Sequence, residues 1–314
     1  MIIYIVSDGK PGHLAQTRGL AKALVAKAAK LSPDREHTFH EVSIVGKAWL
    51  AKFFYKGKDL DLPKPDLILC AGHSTHLAAL SLARHMHCPC MVCMKPSLPL
   101  KMFDLCIMPR HDLAGGTQPA GNVFTTNGAI NCISPHPELE KKEKLILIGG
   151  PSKEYDWDAE TVLTQLANIT RHSSSPMVLT TSRRTPKDFV QDVLSTCPSI
   201  RVEPVETTGP TWVADHLAVA REVWVTQDSV SMVYEALSSG APVGIIEMTP
   251  KGGRNPGRKP SRVARGLGML IDDKSVRTFT EWARTHELPV PEHVLNEAGR
   301  TADYILERFP ELLS

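Results

Sequence analysis

Short runs of consecutive apolar residues alternate with amphipathic stretches from one end of the 314-residue chain to the other. The runs at 1–6, 37–43, 66–71, 90–94, 104–108 and 122–125, then 144–149, 176–181, 200–203, 222–226 and 242–246, have strand length and little polar alternation. Strands of that kind are buried on both faces, as in parallel sheets covered by helices. Helical periodicity falls between them at 14–30, 75–87, 159–172, 186–195 and 230–238. The stretch Ser134-Pro135-His136-Pro137-Glu138-Leu139-Glu140-Lys141-Lys142-Glu143-Lys144 is rich in proline and charge, and a fresh apolar run follows it at once. The pattern predicts two similar-sized α/β halves with a cleft between them, residues 1–138 and 139–290. The tail 291–314 is expected to form a helix opened by Pro291 that packs back across the domain interface.

Composition narrows the class. Hydrophobic residues make up 42% and charged residues 22%, ordinary for a globular chain. Lys and Arg number 36 against 34 Asp and Glu, a balance that argues against a dedicated nucleic-acid binder. The apolar start, Met1-Ile2-Ile3-Tyr4-Ile5-Val6, has neither a preceding basic segment nor a small-residue cleavage site, so it reads as a buried strand. No apolar run approaches the roughly 18–20 residues that span a bilayer. Seven cysteines over this length do not suggest a disulfide framework. A cytoplasmic location is expected, with peripheral contact at an anionic inner membrane left open. His85, His87, Cys88, Cys90 and Cys93 are a dense group of soft ligands, but no second cysteine pair is spaced to complete a zinc site. Cys90 and Cys93 sit three apart in one strand and point to opposite faces, which favours buried thiols and no metal.

In open parallel sheets, ligands sit beyond the carboxyl ends of the strands. The first such junction is Ser7-Asp8-Gly9-Lys10-Pro11-Gly12-His13, ahead of a helix expected to open at Leu14. It lacks Walker spacing. Imidazole titrates near neutrality, so His13 is either a general base or a turn-stabilising side chain. A second junction is Thr226-Gln227-Asp228-Ser229-Val230-Ser231-Met232-Val233-Tyr234-Glu235-Ala236. Its plain reading is a helix capped by Asp228 or Ser229. Its sharper reading is a phosphate cradle of Ser229, Ser231 and helix N–H groups, with Glu235 one turn inward for a ribose. The stretch 251–262 holds five basic residues, three glycines and no acid. It is either a solvated loop or a clamp for a diphosphate or lipid headgroup, through Lys251, Arg254 and Arg258. The loops at Gly149-Gly150-Pro151-Ser152 and Thr180-Thr181-Ser182-Arg183-Arg184-Thr185-Pro186 also follow strands.

Taken in order, several of these stretches resemble one family. They are 8–13 with Gln16 and Gly19-Leu20-Ala21, Phe103-Asp104-Leu105 with Pro109-Arg110-His111-Asp112, and Asn127-Gly128-Ala129. Gly149-Gly150-Pro151, 180–186, and Asp228-Ser229-Val230-Ser231-Met232 with Glu235-Ala236 and Gly240-Ala241-Pro242-Val243 complete the set. The family is the mitochondrial-fission "elongated mitochondria" family, whose bacterial members are regarded as candidate glycosyltransferases. The resemblance implies a GT-B-like fold: two Rossmann-like domains with parallel sheets facing across a cleft. Residues 1–138 would be the acceptor domain and 139–290 the nucleotide-sugar donor domain. It implies an inverting, metal-independent transfer with no cofactor, from a nucleotide-diphosphate sugar to an acceptor hydroxyl of a cell-envelope glycan or lipid. His13 and Asp8 would be catalytic, and Gly149, Gly150, Ser182, Arg183, Asp228, Ser229, Ser231 and Glu235 would bind the donor. Residues Gly72-His73-Ser74-Thr75 depart from the arginines that many members carry there. Two other classes compete. One is a non-catalytic adaptor that keeps the fold, or a membrane-associated protein of this family type. The other is a nucleotide-sugar epimerase or reductase, against which the missing G-x-G-x-x-G fingerprint argues.

Overall fold

The computed structural model describes residues 1–46, 55, 57, 60–113, 121–252 and 261–314. The chain forms two compact units, Met1–Cys132 with Asn296–Ser314, and Ile133–Leu295. The sequence reading divided it at 138/139 and 290/291 instead.

The first unit is built on β1 (Ile2–Ser7), α1 (Pro11–Leu31), β2 (Thr38–Ser43), β3 (Leu67–Ala71), α2 (His76–Met86), β4 (Cys90–Cys93), β5 (Leu105–Pro109) and β6 (Val123–Thr126). Its strands pair in parallel in the order β2-β1-β3-β4-β5-β6. β3, β4 and β5 are buried at every position, as unalternated apolar runs require. One face of the sheet (Ile3, Ile5, Leu69, Met91) packs on Leu20 and Leu24 of α1. The other (Tyr4, Val6, Ile68, Val92) packs on Ala79 and Leu82 of α2. Cys93 lies in the first of these layers, and Cys70, Cys90 and Cys106 in the second. Burial pushes the Cys88 and Cys106 thiols up to about 12, out of the range of nucleophiles or ready metal thiolates.

Helix α1 begins at Pro11, three residues before the predicted start. Proline at the first helical position sacrifices an N–H that would have no partner there anyway. His13 therefore stands in the first turn of the helix rather than on the loop before it. Further along α1, a Cβ added to Gly19 would lie 2.1 Å from the carbonyl oxygen of Asn131. Gly19→Ala is thus expected to destabilise this unit by about 1–3 kcal/mol, the usual cost of overpacking. Urea or thermal unfolding measures it, and an unchanged midpoint would show that the segment at Asn131 yields freely.

The second unit runs β7 (Glu143–Leu147), α3 (Ala159–Arg171), β8 (Met177–Thr180), α4 (Phe189–Thr196), β9 (Ile200–Glu203), α5 (Trp212–Val219), β10 (Ala220–Thr226), α6 (Val230–Ser238), β11 (Val243–Ile246), α7 (Arg262–Asp272), β12 (Arg277–Thr278) and α8 (Phe279–Thr285). The strand order is β12-β11-β10-β7-β8-β9, again parallel throughout. Its core gathers Ile146, Leu166, Phe189, Trp224 and Trp282.

The tail forms α9 (Glu297–Arg308). It opens at Asn296, whose side chain accepts the Gly299 N–H at 2.8 Å, and not at Pro291 as the sequence reading expected. Ala302 and Ile305 of α9 join the α1 layer of the first unit, and Lys27 pairs with Asp303.

Candidate active site

In the first sheet the chain leaves β1 to one side for β2, then starts β3 on the other side, so the strand order reverses between β1 and β3. In the second sheet β8 and β9 lie on one side of β7 and β10 on the other, so the reversal falls between β7 and β10. Loops diverge at such switch points and leave a crevice open to a ligand. The predicted residues Asp8 and His13 follow β1; Gly149 and Gly150 follow β7; Asp228 and Ser229 follow β10.

At the first switch point, Asp8 collects donors. Its Oδ1 accepts from His13 Nδ1 at 3.0 Å and from the Lys10 backbone N–H at 3.3 Å. Its Oδ2 accepts from the Ser74 hydroxyl at 2.7 Å, and the Lys10 ammonium stands 3.6 Å away. Burial alone would raise the Asp8 carboxyl, but the bonds from Ser74, His13 and Lys10 outweigh it and hold the group down at about 2. A carboxylate ionised at neutral pH takes the Nδ1 proton as its hydrogen bond. In neutral His13 the lone pair is therefore on Nε2, which no described residue engages. That is the tautomer of a general base.

The imidazole rests on Gly72. A Cβ there would lie 2.2 Å from Cε1 and 2.3 Å from Nδ1 of His13, and the backbone φ of +87° also favours glycine. Behind it, buried His76 and exposed His73 both hold the Ser97 hydroxyl, at 3.2 and 2.7 Å. Burial first, then the neighbouring His73 and His13, push His76 down to about 4, so it is neutral at neutral pH. Gly72 and Ser74 belong to the stretch that departs from the family pattern. Sequence reasoning gave neither of them a role; the adjacency of β1 and β3 was the signal that could have found them.

At the second switch point, the Asp228 side chain is fully buried in the space left by Gly149, where a Cβ would lie 2.3 Å from both carboxylate oxygens. The Gly149 N–H donates to Thr226 Oγ1 at 2.7 Å and the Gly150 N–H to Asp228 Oδ2 at 3.2 Å. Asp228 is thus spent on the loop and on Arg184 (2.6 Å), and does not cap α6. Ser229 occupies the cap position, but its side chain makes no cap bond, which leaves first-turn donors of α6 open. Ser231 is exposed. Glu235 is half-buried, burial pushes its carboxyl up to about 7, and no described residue bonds to its side chain.

The remaining predicted residues fare differently. Ser182 donates to the Gly149 carbonyl at 3.0 Å and so braces the loop. Arg183 is exposed. Lys251 reaches Asp156 at 3.9 Å. Arg254 and Arg258 lie outside the described residues. Arg184, which sequence reasoning passed over, holds Asp228. Among the described residues no helix is long and apolar enough to cross a membrane, and no group of three or more His, Cys, Asp or Glu is arranged for a metal ion.

Two six-stranded parallel α/β units, each with polar loops at its switch point, give this chain a GT-B-like fold. The model of a family described as mitochondrial fission ELM1 matches residues 11–309, and the chain belongs to that family. Among solved structures, a candidate UDP-N-acetylglucosamine 2-epimerase from Listeria monocytogenes is similar with a TM-score of 0.59 at 13% identity, covering 99% of this chain and 97% of that one. The UDP-GlcNAc 2-epimerase of Neisseria meningitidis, bound to UDP-GlcNAc, gives 0.53 at 12% identity over 99% of this chain and 100% of that one. MurG from Acinetobacter baumannii gives 0.51 at 11% identity, covering 99% of both chains. At these identities the likeness shows the fold. Proteins named as epimerases share this fold, so a missing dinucleotide fingerprint does not by itself set epimerisation aside.

Proposed function

We propose that this protein moves a sugar from a nucleotide-diphosphate donor to an acceptor hydroxyl, with inversion and without a metal ion. One observation carries the reading. His13 is held by an ionised carboxylate on Nδ1 and presents, at the β1/β3 switch point, an Nε2 that no described residue engages. In this reading Nε2 takes the acceptor proton as its oxygen bonds to the sugar's anomeric carbon, and the bond to the diphosphate breaks. Asp8 holds the tautomer and steadies the imidazolium that forms, and Ser74 and Lys10 hold Asp8. In the second unit the open N–H groups of α6, with Ser229 and Ser231, face the charge that grows on the leaving diphosphate, while Glu235 accepts from the ribose.

Calorimetry and ligand-observed NMR against nucleotides and nucleotide sugars test the binding half, with UDP and UDP-GlcNAc first because fold neighbours carry those names. Turnover in deuterated water tests the chemistry. Epimerisation that removes and returns a carbon-bound proton exchanges that hydrogen with solvent, whereas transfer breaks no C–H bond, so deuterium in recovered sugar would replace the transferase reading. No nucleotide binding at all would put the non-catalytic adaptor in front.

The basic stretch 251–262 is assigned to the diphosphate. Exposed charge contacts are screened over about 8 Å at physiological ionic strength. Donor affinity should therefore weaken with salt, and less steeply once Arg254 and Arg258 are both alanine. An unchanged salt slope would turn attention to lipid, for which liposome sedimentation is the follow-up.

A further inference from the structure

We infer that Arg184 is a further side chain with which the second unit meets the donor's diphosphate, beside the groups assigned to it above, and that Asp228 is its positioning residue; this rests on the sugar-nucleotide reading above.

Asp228 stands two residues ahead of Val230, the first residue of α6. Its side chain is fully buried, and its Oδ1 has no hydrogen-bond partner among the described residues. A lone carboxylate at this helix end would repel the anion that the open first-turn N–H groups attract. Arg184 resolves the conflict. One terminal nitrogen pairs with Asp228 Oδ2 at 2.6 Å, and the other donates to the carbonyls of Gly150 at 3.3 Å and Pro151 at 3.2 Å. The Arg184 backbone is pinned as well: its N–H donates to Ser182 Oγ at 3.2 Å, and a Cβ on Gly150 would lie 2.3 Å from its carbonyl oxygen. The fork is thus held on one side by protein, yet the side chain remains 43% exposed.

A guanidinium carries five N–H donors, more than these contacts use. No described residue engages its Nε. A pre-oriented, half-exposed guanidinium beside an open helix N-terminus matches the bidentate geometry of phosphate oxygens. Neighbouring Arg183 is exposed, and no described residue anchors it in that way.

The test compares UDP with uridine, because only the diphosphate should register the change. Arg184→Ala alone would leave Asp228 buried and unpaired, so the informative variants are Arg184→Lys, which keeps the charge but not the fork, and the double variant Arg184→Ala with Asp228→Asn. Both are expected to weaken UDP by at least about tenfold, the scale of one charge-assisted hydrogen bond, with uridine affinity unchanged. A UDP-to-uridine affinity ratio equal to wild type in both variants overturns the assignment. So does a loss confined to Arg183→Ala. Wild-type protein that binds neither UDP nor UDP-GlcNAc overturns the sugar-nucleotide reading and this assignment together, whereas wild-type binding with an unchanged ratio overturns the assignment alone.

Discussion

Replacing His13 by alanine is expected to reduce sugar transfer by about 10²–10⁴-fold, the range in which a positioned acid–base group contributes. Fold and donor affinity should stay nearly intact, because the side chain is partly exposed in the first turn of α1 and, among the described residues, bonds only to Asp8. Asp8→Asn should cost a comparable factor by another route. If the amide oxygen keeps the Ser74 hydroxyl, the amide nitrogen faces His13, donates to Nδ1 and leaves the proton on Nε2. The base then carries a hydrogen where it needs a lone pair. Steady-state rates with a nucleotide sugar and its acceptor check both variants. Near-wild-type turnover of His13→Ala would remove His13 from the mechanism. Donor hydrolysis retained without transfer would instead assign it to the acceptor side.

Nucleotide affinity should depend on pH through Glu235. Burial raises its carboxyl to about 7, so the ligand-free protein carries a proton there in mildly acidic solution. The ionised form is the stronger acceptor for ribose hydroxyls, and binding therefore draws the proton off. Affinity should rise as pH increases through about 7 and level out above it; on the acid side it should fall by up to about tenfold per pH unit. Glu235→Gln should flatten that dependence and weaken nucleoside and nucleoside diphosphate alike, by about ten- to hundredfold, the worth of a hydrogen bond to a charged acceptor. Ser229→Ala combined with Ser231→Ala should instead weaken the diphosphate and barely touch the nucleoside. Calorimetric titrations from pH 5.5 to 8.5 would separate the two patterns. Equal losses for both ligands in the double-serine variant would mean a general defect of α6, and a wild-type profile without a slope near pH 7 would remove Glu235 from the ribose.

The strands were readable from the chain alone because parallel strands covered on both faces must be continuously apolar. β3, β4 and β5, buried at every position, are the clearest cases. Most of the elements that escaped are short; the eleven-residue α7 escaped because it opens at the end of the basic stretch 251–262, which reads as a loop. α5 and α8 span eight and seven residues, and β12 pairs through two residues at a sheet edge, too few for a period to show. Asp8 and His13 were legible for a local reason: they lie five residues apart on one strand–helix turn, where backbone geometry alone brings them together. The same holds for Asp228 and Ser229 at the start of α6, though not for what Asp228 does. Its carboxylate serves Gly150 and Arg184, which reach it from the loops after β7 and β8 only because β10 docks beside β7. Likewise Ser74 and Gly72 meet Asp8 and His13 across 66 and 59 positions of sequence because β3 pairs with β1. Side-chain periodicity and turn chemistry are local properties that a sequence carries openly. Which two loops share a crevice depends on the order of strands in the sheet, and that order is settled by the packing of every crossover at once.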